Sequence, residues 1–325
     1  MIPAIIAMSI PPVIFYLLLG VAGGLALWFF LSLLAAFIVY TKVLHRWNKK
    51  KWTRECSSDD PNQHVMYAQG LEWSKKHEEK KRELSITRKG YKLYGEYFDL
   101  GFDRTAVIIS GRTEGLRYAY FFAKPYAESG FNIFVFDQRS HGLSDGHCNT
   151  LGFEESKDLL EWCRYLHDEI GTKEIYFHGI CIGSACSLYA LVNKDAPSYL
   201  IGMTADGMYS TFYRSFVNHA HERVKHLFPV SDMVDWWQRL FTGYSMKTGP
   251  INCIQKYNKP LLMLHSREDT YSIPQYANEL YRKANSRVKE LAWFDHGAHS
   301  MIRITDSEKY DEVIKAYLKE HFDRD

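Results

Sequence analysis

Apolar and polar positions along this chain fall into blocks of different period. From Ile2 to Thr41 no residue is charged. At ~1.5 Å per helical residue such a run reaches about 60 Å, twice the ~30 Å hydrocarbon core of a bilayer, so one long span and a tight hairpin both fit. Pro11-Pro12 breaks a helix begun at Ile2. Val13 to Tyr40 then reads as one uninterrupted apolar helix, which favours a single span. Cys56 to Arg82 is polar, with a helical stretch expected around Gln69 to Lys81. Next, Glu83 to Thr87 and Lys92 to Phe98 flank Arg88-Lys89-Gly90-Tyr91, a hairpin signal. Six short apolar runs follow: Ala106 to Ile109, Asn132 to Phe136, Glu174 to His178, Leu200 to Thr204, Leu261 to His265 and Glu290 to Phe294. Between most of them lie amphipathic stretches such as Leu116 to Ser129 and Phe153 to Ile170. Strands alternating with helices predict an α/β fold, a mostly parallel sheet with helices on both faces. No strand is expected between Tyr209 and Tyr257. That segment holds Phe212, Tyr213, Phe216, Phe228, Trp236, Trp237, Phe241 and Tyr244, and it reads as a helical lid inserted over the sheet edge.

Charge narrows the partners. The 40 Lys+Arg against 38 Asp+Glu leave a net +2 over 325 residues, without the basic excess of a nucleic-acid binder. Nucleic acid is therefore not an expected partner. Lys42, Arg46, Lys49, Lys50, Lys51 and Arg54 follow the apolar run at once. This one-sided cluster marks a cytoplasmic flank and also suits anionic lipid headgroups. No Lys or Arg precedes Lys42, so the run is expected to persist as an anchor rather than act as a cleaved leader. The expected domains are a transmembrane anchor at 1–41, a basic juxtamembrane segment with a linker helix at 42–82, and a folded domain at 83–325 with its lid at about 209–257. The bilayer is then a partner, and the folded domain is expected in the cytoplasm. Six cysteines lie scattered without a CxxC pair or Cys/His ligand spacing, so neither disulfides nor a zinc site is expected.

The chemistry gathers at strand ends. His178-Gly179-Ile180-Cys181-Ile182-Gly183-Ser184 follows an apolar strand and precedes a small-residue helix, Ala185 to Val192. This G-x-C-x-G pattern fits a nucleophile elbow, a strained strand-to-helix turn whose glycines avoid collisions with neighbouring elements. A helix amino terminus and a nearby imidazole both favour thiolate, so Cys181 is the candidate nucleophile. A buried structural role suits Cys163 and Cys186.

Residues 83 to 322 resemble the α/β-hydrolases, most closely the bacterial membrane-anchored group related to serine aminopeptidase-like and lysophospholipase-like hydrolases. Asp137-Gln138-Arg139-Ser140-His141-Gly142-Leu143-Ser144 is similar to that family's D-x-R-G-H-G-x-S loop, with Ser140 in place of a glycine. The resemblance makes Asp269, in His265-Ser266-Arg267-Glu268-Asp269, the acid, and His299, in Gly297-Ala298-His299, the base. The order Cys181, Asp269, His299 matches the order of this fold. His296 competes as base, and Glu268 and Asp206 compete as acid. Ser110-Gly111-Arg112 sits where the family has H-G-x, so the backbone N–H groups of Arg112 and Ile182 would form the oxyanion hole. The Arg112 side chain would be free to read an anionic substrate. His141, His178 and His265 are expected to be structural.

These parts imply an acyl hydrolase of esterase or thioesterase type, with a Cys-His-Asp triad and a covalent acyl-enzyme. A thioester intermediate also leaves acyl transfer open, as in the bile-acid amino-acid acyltransferases, and a degenerate elbow would leave a membrane-tethered binding module. The aromatic lid points to a lipid ester or acyl thioester. The sequence singles out no substrate-binding residue, and the reading needs no metal or cofactor.

Overall fold

The computed structural model describes residues 11–221 and 228–323. Helix α1 (Pro12–Val43) starts with Pro12 in its first turn, where a missing N–H costs nothing. It is long and apolar enough to cross a membrane. Helix α2 (Pro61–Lys76) follows. It lies further toward the amino terminus than the polar stretch suggested, because the Asp60 carboxylate accepts from Asn62 N–H at 2.9 Å and caps it there. Strands β1 (Lys81–Arg88) and β2 (Tyr91–Phe98) form the expected hairpin. Its two-residue turn needs positive φ at both positions; Lys89 has φ 50° and Gly90 φ 81°.

The sheet continues through β3 (Arg104–Ile109), β4 (Asn132–Phe136), β5 (Glu174–Ile180), β6 (Leu200–Asp206), β7 (Leu261–Ser266) and β8 (Lys289–Phe294). Its order is β1-β2-β4-β3-β5-β6-β7-β8, parallel except at β2. Each of the six apolar runs is a strand. Between them, in chain order, come helices α3 (Leu116–Ala119), α4 (Lys124–Glu128), α5 (Phe153–Asp168), α6 (Ile182–Leu191), α7 (Phe212–His221), α8 (Val230–Thr242) and α9 (Pro274–Lys283), and then α10 (Ile302–Thr305) and α11 (Ser307–Phe322). The single helix expected over Leu116 to Ser129 is broken. Pro125 has no N–H to give Phe121 C=O, and that carbonyl accepts instead from Arg303 Nη1 at 2.5 Å.

Alternation along each strand sorts side chains onto two faces. Ala106, Ile108, Ile133 and Val135 pack under Tyr126, Tyr310 and Tyr317. Val107, Ile109, Phe134 and Phe136 pack under Leu159, Trp162 and Leu166. Helices cover both.

The lid segment contributes α7 and α8, with no strand among its described residues. Its aromatics face an unexpected neighbour, α1. The Trp237 ring lies 4.8 Å from Phe37, Phe241 stacks on Tyr40 at 5.3 Å, and Trp237 Nε1 donates to Leu33 C=O at 3.2 Å. Ser32, Ala36 and Tyr40, spaced one turn apart on α1, are buried there.

The basic cluster also divides. Lys42, Lys49 and Lys50 are exposed, whereas the Arg46 guanidinium donates to Gly142 C=O at 2.9 Å and Lys51 Nζ to Thr41 C=O at 2.8 Å. Arg54 Nε meets Asp137 Oδ2 at 2.7 Å and its Nη1 meets Glu96 Oε1 at 3.1 Å. Asp137 and Glu96 are both buried, so Arg54 neutralises two carboxylates that belong to the sheet. Removing one partner of a buried pair typically costs about 3–5 kcal/mol. Arg54→Met should therefore lower the denaturation midpoint of the detergent-solubilised full chain by an amount near the lower end of that range. An unchanged midpoint would show that the two acids do not depend on Arg54.

Candidate active site

Cys181 sits between β5 and α6 with φ 54° and ψ −109°, a conformation side chains rarely adopt. Its neighbours leave no alternative. A Cβ on Gly183 would lie 2.2 Å from Ile109 O, and one on Gly179 would lie 2.5 Å from the backbone of Gly183. Cys181 N–H donates to Asp206 C=O at 2.8 Å, and Ser184 Oγ donates to Gly179 C=O at 2.6 Å. Cys181 as a whole is 6% exposed.

His299 Nδ1 lies 2.7 Å from Asp269 Oδ2. Asp269 Oδ1 accepts from the N–H groups of Tyr271 (2.9 Å) and Ser272 (2.7 Å). Burial raises the Asp269 pKa, but His299 and these donors outweigh it and hold the carboxyl below its ordinary range. Burial likewise opposes charge on His299. Cys181 and Asp269 outweigh it, so the imidazole keeps its proton well above its usual range. Nε2 faces the Cys181 thiol, close enough for the sulfur to help hold the ring's proton. Gly207 lies beneath the ring; a Cβ there would be 3.2 Å from His299 Cε1.

The competing residues lie elsewhere. His296 Nδ1 and Glu268 Oε1 pair with each other at 3.0 Å on the surface. Asp206 is buried and accepts from Tyr310 Oη at 2.7 Å. Tyr310 Oη lies 3.3 Å from His178 Nε2, and Tyr126 Oη lies 2.6 Å from His178 Nδ1. A Nε2–H tautomer satisfies this chain in one direction, each hydroxyl or ring donating onward to Asp206. Burial pushes His178 down to about 3 and Asp206 up to about 7. His141 lies between the carbonyls of Arg139 and Arg112, and His265 meets Ser272 C=O.

Two loops frame the thiol. Ile182 is the first residue of α6, so its N–H has no acceptor within the helix. Gln138 Nε2 donates to Ser110 C=O (2.9 Å) and Gly111 C=O (3.3 Å). In a trans peptide the N–H points opposite the C=O, so Gln138 turns the Arg112 N–H away from itself. The Arg112 side chain is occupied: Nη1 donates to Val43 C=O, at the end of α1, at 2.8 Å. That bond ties one guanidinium nitrogen to the anchor, while Arg112 stays on the wall of the Cys181 cavity.

A cavity of about 360 Å³ joins these groups, with Cys181, His299, Arg112 and Glu114 among its walls. Asp60 and Gln63 reach it from α2, and Tyr271 lies 4.8 Å from the His299 ring. Asp60, Gln63, Glu114 and Tyr271 escaped sequence reasoning, as did the part Gln138 plays; only the Asp60-Pro61 helix start was a visible signal. None of the eight lid aromatics lines this cavity. A larger hollow of about 510 Å³, near Asp103 and Lys173, has no Cys, Ser or Thr on its walls.

Residues 106–242 match a family of proteins with the alpha/beta hydrolase fold. A Bacillus subtilis (strain 168) protein, YqkD, is 25% identical over 219 residues, covering 66% of this chain and 70% of that protein. The Pyrococcus furiosus esterase Pf2001 superposes with a TM-score of 0.62 at 22% identity, covering 76% of this chain and 95% of its own. Est1E from Butyrivibrio proteoclasticus, solved with ferulic acid bound, gives 0.58 at 17% identity over 73% and 98%. The chain has the α/β-hydrolase fold.

The Asp206 proton makes stability depend on pH. Unfolded, this carboxyl ionises near 3.8; folded, it keeps its proton to about 7. The folded state binds more protons across that window, so stability falls as pH rises through it, by at most about 1.4 kcal/mol per pH unit. Asp206→Asn keeps the acceptor for Tyr310 and removes the titration. The stability difference between wild type and variant should shift in the variant's favour from pH 5 to pH 7.5 in urea denaturation. A constant difference would contradict a neutral Asp206.

Proposed function

We propose that the protein is a membrane-anchored acyl hydrolase of esterase or thioesterase type, acting through Cys181, His299 and Asp269. The observation that carries this reading is a thiol on a strained turn sharing one cavity with an imidazole already bonded to a buried carboxylate. Asp269 holds Nδ1–H, and Nε2 takes the Cys181 proton, which the raised proton affinity of the ring favours. The sulfur then forms a bond to the acyl carbonyl carbon, and the carbonyl electron pair moves to oxygen. The N–H groups of Ile182 and Arg112 receive that oxyanion. Collapse breaks the bond to the alcohol or thiol, which leaves with the proton from Nε2. Water attacks the thioester, passes a proton to Nε2, and the Cys181 thiolate departs and is reprotonated by His299. The named esterase among the similar structures supports the bond class.

The modest volume of the cavity favours a compact acyl group over a long chain. No described lid aromatic offers a tunnel. Helix α1 serves as the anchor in a single span, and the exposed Lys42, Lys49 and Lys50 put the folded domain on the cytoplasmic side.

Brief mixing of the full chain in detergent with short and medium acyl thioesters, followed by intact mass measurement, tests the mechanism. A transient acyl adduct is expected on wild type and none on Cys181→Ala. Its decay in water alone marks a hydrolase; faster decay with added amines marks a transferase, the reading a thioester intermediate also permits. Without adduct or ester turnover, the proposal gives way to an inert binding module. His299→Ala should also slow iodoacetamide alkylation of Cys181 at neutral pH by about tenfold or more. Equal rates would mean that the imidazole does not activate the thiol.

A further inference from the structure

Helix α1 changes character at Ser32. From Pro12 to Leu31 every residue is exposed, about 20 residues or about 30 Å, the thickness of a hydrocarbon core. From Ser32 onward one face is buried against the folded domain, by way of α8. A hydrocarbon slab drawn over Ser32 to Val43 would pull α8 in with it. The face of α8 toward the domain sets Met233 and Val234 in the core and carries bonded polar groups: Asp235 Oδ1 accepts from Met246 N–H at 2.6 Å, and Gln238 Nε2 donates to Asn149 C=O at 3.1 Å. Those groups belong outside lipid, so the edge of the hydrocarbon falls near Ser32. Trp237 bonds α1 one residue beyond, at Leu33.

The outer side of α8 carries Trp236 and Leu240, with the exposed Arg239 beside them. Trp236 is 48% and Leu240 60% exposed, one turn apart, and on α1 Leu34 and Ile38 continue the surface, each 47% exposed. This face is continuous with the part of α1 assigned to lipid and lies at the height where indole rings are enriched in membrane proteins. We propose that the Trp236–Leu240 face of α8 docks in the interfacial zone of the bilayer that α1 spans, so lipid, rather than water, bounds this side of the lid. The proposal rests on the reading of α1 as a membrane span. It gives α8 three partners: domain, anchor and headgroup region.

Tryptophan quenching in nanodiscs tests it on the full chain. The emission of Trp236 is the difference between wild type and Trp236→Phe, and that of Trp28, inside the exposed part of α1, the difference from Trp28→Phe. Phosphatidylcholine brominated at carbons 6 and 7 should quench both by more than half, while aqueous iodide should leave Trp236 largely unaffected. Trp28 quenched by bromine with Trp236 open to iodide would place the face in water and overturn the docking alone. Trp236 shielded from both quenchers would mean a second copy of the chain covers it, which also overturns the proposal. An unquenched Trp28 would overturn the span itself, and the docking with it.

Discussion

The close approach of α6 to β3 and β5 at the Cys181 turn is the constraint on which the rest of the site depends. Gly179 and Gly183 make it sterically feasible, and the left-handed turn they permit costs about 1–3 kcal/mol that surrounding bonds must offset. Those bonds come from the next strand. Asp206 C=O takes both Cys181 N–H and, at 3.2 Å, the Ser184 hydroxyl. The end of β6 therefore holds the nucleophile in place, and the β7 and β8 ends bring Asp269 and His299 over it.

Neighbouring strands present two buried carboxyls in opposite protonation states. Asp269 has two backbone donors and an imidazole, so it stays charged. Asp206 has one tyrosine hydroxyl and keeps its proton to about pH 7. Burial pushes both upward, more so for the deeper Asp206; at Asp269 the charge of His299 and the surrounding donors outweigh it, and at Asp206 they do not. Only Asp269 is fit to stabilise an imidazolium, which gives a physical basis for preferring it over Asp206 as the acid.

Much of this was legible in the chain because buried parallel strands read as continuous apolar runs. The six runs fell on β3 to β8, and the glycines around Cys181 exposed the turn. What stayed hidden concerns partners distant in sequence. Arg54 looked like a lipid-facing charge, whereas its carboxylates, Glu96 and Asp137, lie far along the chain. The lid aromatics looked like a cover for an acyl chain, yet Trp237 and Phe241 pack against Phe37 and Tyr40. Pattern identifies an apolar face without naming what covers it. Helix ends failed for a local reason: the expected run through Leu116 to Ser129 overlooked Pro125, and the shift of α2 overlooked the Asp60-Pro61 start.

The attachment of α1 to the folded domain has a practical corollary. Arg112, in the loop that frames the thiol, rests on the last carbonyls of α1 through Val43, and α8 shields its rings with the same helix. A shortened chain beginning after Val43 would keep the sheet but bare Trp237 and Phe241 and release the Arg112 guanidinium into the cavity mouth. Such a fragment would be prone to self-association. Its substrate preference would describe an altered entrance rather than that of the intact protein.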